Sequence, residues 1–148
     1  MVIEEDLRNL ARNPTLSVFE PAALRRLALA ATPRTLRAGE VLFRRDDISD
    51  GGFFLRSGSI ALETSADGEP RMVKPPALIG EMALITRTRR PATAVARENS
   101  SVLFIPRTLF QRSLSEQPKS AERLRRIMAA RLRGFVKDLD DLRTRALG

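Results

Sequence analysis

Between positions 79 and 94 the chain reads Ile79-Gly80-Glu81-Met82-Ala83-Leu84-Ile85-Thr86-Arg87-Thr88-Arg89-Arg90-Pro91-Ala92-Thr93-Ala94. A glycine opens a short apolar helical turn, and a basic loop follows it. Unpaired N–H groups at such a helix start attract an anion, because the local dipole is positive. An arginine nearby adds a planar fork of donors that matches phosphate oxygens. A carboxylate is of no use to phosphate, but it is a strong acceptor for a hydroxyl of the kind a ribose carries. Glu81, nine residues ahead of Arg90 across the glycine-led turn, therefore describes a site for a sugar phosphate. The competing reading is a surface loop of solvated arginines, which charge alone favours.

The elements that must position these residues run helix, strands, helix. Leu7, Leu10 and Ala11 form a short amphipathic turn that Pro14 ends. Pro21 sits where a first-turn proline is tolerated, Leu24, Leu27 and Ala31 recur at helical spacing, and Pro33 is expected to close that helix. From Thr35 to Pro106 the pattern changes. Six of the eight glycines lie between positions 39 and 80, punctuating the runs Val41–Phe43, Phe53–Leu55, Ile60–Leu62, Met72–Val73, Thr93–Ala96 and Val102–Ile105. Short strands separated by glycine turns imply a sandwich or barrel, and Asp67-Gly68 is a hairpin signal between two of them.

Helical periodicity returns after Pro106 with Leu109, Phe110 and Leu114, and Pro118 opens a longer helix. There Met128, Leu132, Phe135, Leu139, Leu142 and Ala146 follow spacings of 4, 3, 4, 3 and 4, an a/d stripe of the coiled-coil kind. It serves either packing against the chain's own barrel or pairing with a second copy, and the spacing weighs both equally. The predicted division is an N-terminal helical segment at 1–33, a strand-rich body at 34–106 containing the 79–94 segment, and C-terminal helices at 107–148, all within one domain.

Composition narrows the chemistry. The chain has 148 residues, 43% of them hydrophobic, which suits one domain with a real core. It contains no cysteine and no histidine, so disulfides, iron–sulfur clusters, the usual zinc sites, thiol nucleophiles and imidazole bases are all excluded. No Walker-type phosphate loop, dinucleotide fingerprint or serine-hydrolase elbow is present, and an enzyme is not expected. Residues 46–51 resemble a calcium loop only superficially, since Ile48 occupies a ligand position and Ser57 the closing one. The acidic start and the lack of a long apolar run point to a cytoplasmic protein without a membrane partner. The net charge of +8 invites nucleic acid, but residues 119–148 alone hold nine Lys/Arg against four Asp/Glu. With no Trp or Tyr for stacking, DNA binding by this chain alone is not expected.

Gly80-Glu81-Met82-Ala83-Leu84-Ile85, four residues, then Arg90-x-Ala92-Thr93 resembles the phosphate-binding cassette of cyclic-nucleotide-binding domains. Gly39-Glu40-Val41-Leu42-Phe43 is similar to that family's early glycine-glutamate strand, Ser49-Asp50 with Phe53-Phe54-Leu55 to its next strand, and Gly58-Ser59-Ile60 to the turn after it. The likeness spans roughly residues 16–135. It implies an α+β fold: an antiparallel β-roll, jelly-roll-like, with N-terminal helices, a short cassette helix and a long C-terminal helix. It implies no cofactor and a cAMP or cGMP ligand. Arg90 would then pair with the cyclic phosphate and Glu81 with the ribose 2′-hydroxyl. Backbone amides around Gly80, Met82, Ala83 and Ala92 would cradle phosphate and ribose. Thr93 would meet a syn purine, and Arg131 would cap the base.

The departures from the family pattern are specific. Pro91 stands where a small residue usually offers its N–H to the phosphate. Asp46 replaces a common turn glycine, and Pro75-Pro76-Ala77 a proline-glycine-acidic turn. Three functional expectations follow. The first is a regulatory sensor that transmits ligand binding through its C-terminal helix to an effector protein or a homodimer partner. The second is a ligand-free domain of the same fold used as an interaction module. The third is the sensor part of a longer transcription regulator.

Overall fold

The computed structural model describes residues 2–65 and 68–147. Helix α1 (Glu4–Arg12) begins with Glu4, Glu5 and Asp6 and ends near Arg12, a charge order that suits the helix dipole. The Asp6 carboxylate accepts from the Ile3 N–H (3.1 Å), satisfying one first-turn donor. Asn13 then breaks the chain direction. Its side-chain oxygen accepts from the N–H groups of both Thr15 (3.0 Å) and Leu16 (3.1 Å), tying off a tight turn. A 3-10 turn at Leu16–Val18 leads to α2 (Pro21–Ala30), with Pro21 at the first-turn position expected of it.

Helix α2 stops at Ala30, ahead of the proline expected to close it. Pro33 instead lies inside strand β1 (Thr32–Leu36), paired with Leu103. That strand is the edge of its sheet, where a missing N–H is tolerated.

The further strands are β2 (Val41–Phe43), β3 (Gly51–Ser57), β4 (Ile60–Glu63), β5 (Arg71–Val73), β6 (Ala77–Ile79), β7 (Thr93–Ala96) and β8 (Ser100–Pro106). They form two four-stranded antiparallel sheets, in the orders β1-β8-β3-β6 and β2-β7-β4-β5. With the flanking helices this is the α+β β-roll. Strands β4 and β5 pair as expected, Ile60 opposite Val73. Asp67 of their predicted turn lies outside the described residues.

Strand β3 explains why there are two cores. Successive side chains point to opposite faces. Phe54 therefore joins Leu10, Leu16, Leu27, Leu103, Ile105 and Phe110 beneath the helices, while Phe53 and Leu55 join Leu36, Ile60, Ile79 and Val102 between the sheets. A strand buried on both faces reads as a continuous apolar run rather than an alternating one.

After β8, helix α4 (Arg107–Ser115) and helix α5 (Pro118–Leu147) complete the chain. Ser120 and Leu124 of α5 are buried, and Ile127 and Met128 pack at the margin of the helical core. Beyond Met128 the stripe is bare: Leu132 is 63% exposed, Phe135 61%, and Leu139 and Leu142 are also open to solvent. The stripe does not cover the chain's own barrel past its first position.

Candidate functional site: the Gly80–Arg90 cavity

Strand β6 delivers the chain to Gly80, which has φ +77°, and α3 (Met82–Ile85) follows with Glu81 at its N-cap. Two things demand glycine there. The positive φ is the left-handed region that side chains resist, and an added Cβ would stand 2.5 Å from Arg90 Nη1. The turn is tight enough that the Ala83 N–H donates to the Gly80 carbonyl (3.0 Å). That amide is engaged within the turn itself.

The basic loop is sewn to the loop ahead of β3. Ser49 N–H donates to the Thr88 carbonyl (2.8 Å), Thr88 N–H to Ser49 Oγ (3.0 Å), Arg90 N–H to the Asp47 carbonyl (2.8 Å), and Asp46 N–H to the Arg90 carbonyl (2.8 Å). Asp46 makes this clamp at φ +72°, which accounts for the glycine usual at that position. The stitching drives the Arg90 side chain inward while Arg87 and its neighbour Arg89 stay at the surface.

Arg90 is only 4% exposed. Its Nη2 donates to the Gly51 carbonyl (2.7 Å) and lies 3.5 Å from a carboxylate oxygen of Asp50, itself 77% exposed. The guanidinium stacks over Phe43 (4.4 Å to the ring centre) and Phe53 (5.5 Å). Its Nη1 is buried and, among the described residues, has no hydrogen-bond partner. Desolvation pushes the pKa of Arg90 below the ordinary arginine value. Asp50 and Asp47 oppose that shift, and Arg107 adds to it. A buried cation with an unmatched donor is costly, and an anion beside Gly80 would relieve both defects. The solvated-loop reading therefore fails for Arg90.

Glu81 stands on the other side of the same space, with its side chain 25% exposed. One carboxylate oxygen, Oε2, accepts from the Thr15 hydroxyl (2.6 Å), and Oε1 pairs with Nη1 of Arg131 on α5. Glu81 and Arg90 line one cavity of about 250 Å³ together with Gly80, Met82, Ala83, Pro91 and Ala92, over an apolar floor of Phe43, Leu62 and Ile79. A cavity of about 310 Å³ between α1 and α2 has only exposed or half-buried charges at its margin, Glu4, Arg8 and Arg25.

Seven of the nine residues singled out in the sequence thus border one cavity. Thr93 is not among the residues lining it. It alternates with the buried Ala94 on β7, and its hydroxyl accepts from the Arg45 N–H (2.9 Å). Arg131 reaches the site, but to grip Glu81 rather than to hang over open space. Thr15, Phe43 and the Gly51 carbonyl were not foreseen. Phe43 ends a recognisable strand, whereas Thr15 carries no signal beyond that of a turn.

The sequence profile described as "Cyclic nucleotide-binding domain" matches residues 33–117, more than half of the chain. The chain belongs to the cyclic-nucleotide-binding domain family. A solved cyclic nucleotide-binding-like protein from Brucella abortus is 37% identical, with a TM-score of 0.70, covering 76% of this chain and 99% of its own. The N-terminal domain of a transcriptional regulator from Streptomyces coelicolor is 30% identical, with a TM-score of 0.78, covering 88% of this chain and 94% of its own. A cyclic nucleotide-gated potassium channel of Mesorhizobium japonicum is 34% identical over 79% of this chain. The match spans 32% of that channel, and 7% of a similar lysophospholipase from Neurospora crassa, so this cyclic-nucleotide-binding domain corresponds to a minor part of both. Among the described residues no helix is long and apolar enough to cross a membrane.

Proposed function

We propose that the chain is a sensor that binds cAMP or cGMP in the Gly80–Arg90 cavity and reports occupancy through α5. The observation that carries this is the buried Arg90, whose Nη1 has no partner among the described residues and abuts Gly80 in a cavity it shares with Glu81. A cyclic phosphate supplies the missing acceptor to Arg90, and the ribose 2′-hydroxyl donates to Glu81. The Met82 N–H at the start of α3 and the Ala92 backbone complete the cradle. The base lies toward α5. Ligand favours one placement of α5 over another, by no more than its difference in affinity for the two. The cysteine-free composition supports a cytoplasmic setting.

Calorimetric titration with each nucleotide tests the reading. Micromolar-range binding is expected for wild type, with weaker binding by Glu81→Ala. Silence toward both nucleotides at millimolar concentration refutes the sensor, and leaves the fold as an interaction module.

The exposed stripe Leu132, Phe135, Leu139 and Leu142 supports self-association, because its spacing of 3, 4 and 3 is that of a two-helix seam. Light scattering should show a dimer that Leu132→Glu with Leu139→Glu converts to monomer. A wild-type monomer at all concentrations, with and without nucleotide, would remove this part.

A further inference from the structure

We infer that Thr15 is a positioning residue for ligand recognition, dividing the two oxygens of Glu81 between the N-terminal segment and the ribose. This rests on the cyclic-nucleotide reading and goes beyond it, since Thr15 lies 66 positions from Glu81 and outside the cassette.

Thr15 is wholly buried, yet it carries a hydroxyl. A buried hydroxyl needs a partner, and the Glu81 Oε2 at 2.6 Å is the one it has. The donor is rigid, because the Asn13 side chain fixes the N–H groups of both Thr15 and Leu16. Thr15 therefore sets the rotation of the Glu81 carboxylate and keeps Oε2 occupied. Oε1, held by the more exposed partner, is the oxygen open to exchange.

Arg131 holds Oε1. The two partners of Glu81 differ in what leaving would cost. Arg131 is 43% exposed and can return to water, whereas Thr15 has no water to turn to. An arriving ribose hydroxyl thus displaces Arg131 and leaves Thr15 in place. The lid arginine is a competitor for the ribose site, and the buried threonine is its fixed wall.

The prediction concerns the ratio of affinities for a ribonucleotide and its 2′-deoxy counterpart. Wild type, Thr15→Val, Thr15→Ser and Arg131→Met are titrated with cAMP, cGMP and the two 2′-deoxy analogues. Thr15→Val removes the hydroxyl at nearly constant shape and should weaken the ribonucleotide about tenfold, while changing the 2′-deoxy analogue less than about twofold. Thr15→Ser should restore the wild-type ratio. Arg131→Met, on an exposed stretch of α5, should raise the ratio about threefold, because only the ribose competes for Oε1. A base-capping role for Arg131 would lower both affinities together and leave the ratio unchanged.

Equal losses for both analogues in Thr15→Val, or an unaltered ratio in Arg131→Met, overturn the proposal while leaving the sensor standing. Arg131→Met keeps the test open should Thr15→Val not fold. If wild type binds neither ribonucleotide, the sensor reading itself falls and this inference with it.

Discussion

Replacing Arg90 with methionine should nearly silence nucleotide binding while leaving the unliganded fold about as stable as before. The substitution removes a charged hydrogen bond to the Gly51 carbonyl, worth about 1.5–3 kcal/mol. It also removes the contacts with Phe43 and Phe53, worth about 0.5–2 kcal/mol. The link to the exposed Asp50 adds less than about 1 kcal/mol. Against these stands the cost of holding a guanidinium 4% exposed, several kcal/mol for a buried ion, part of which is the unpaired Nη1 at about 1–3 kcal/mol. The two sides cancel to within roughly 2 kcal/mol by these magnitudes. Binding has no such compensation. Removing one partner of a buried charge pair costs about 2–5 kcal/mol, or roughly 30- to 5,000-fold in affinity. Urea denaturation of the free protein and calorimetry with cAMP and cGMP measure the two effects separately. A loss of more than about 3 kcal/mol in stability, with affinity changed less than threefold, would make Arg90 a structural residue and refute the argument.

Two further substitutions address the departures from the family pattern. Pro91→Ser returns an N–H and a hydroxyl to the cavity margin and should tighten nucleotide binding by about one to two decades in calorimetry, if each decade is about 1.4 kcal/mol and a charged hydrogen bond about 1.5–3. Asp46→Gly relieves a left-handed residue at φ +72° and should raise the denaturation free energy by about 0.5–1 kcal/mol. A decrease would show that the strain is offset by contacts of the aspartate side chain.

The strands that could be read from sequence were short apolar runs between turn residues, and β2, β3, β4, β5, β7 and β8 fall on them. β1 gave no such signal, because its residues Thr-Pro-Arg-Thr-Leu bury only Leu36. β6 directly follows two prolines, which read as a turn and mask the short apolar run Ala77–Ile79. At the site, Gly80, Glu81 and Arg90 could be read because one turn and one loop fix their separation along the chain. Thr15 could not, because nothing local ties a turn after α1 to a carboxylate 66 positions away. Arg131 was legible as a lid position, but its partner depends on how α5 lies. The stripe on α5 was equally plain, though spacing alone does not say which surface it meets.

Helix α5 leaves the body of the molecule near Met128 and continues without support to Leu147. Those last nineteen or so residues, at about 1.5 Å each, make an arm of roughly 28 Å. A pivot of about ten degrees at its root would sweep the tip through roughly 5 Å, given that length. Close to that root, beside the packed Ile127 and Met128, Arg131 grips Glu81. In the proposed sensor, leverage of this kind turns a small displacement at the cavity into a larger one at the helix tip.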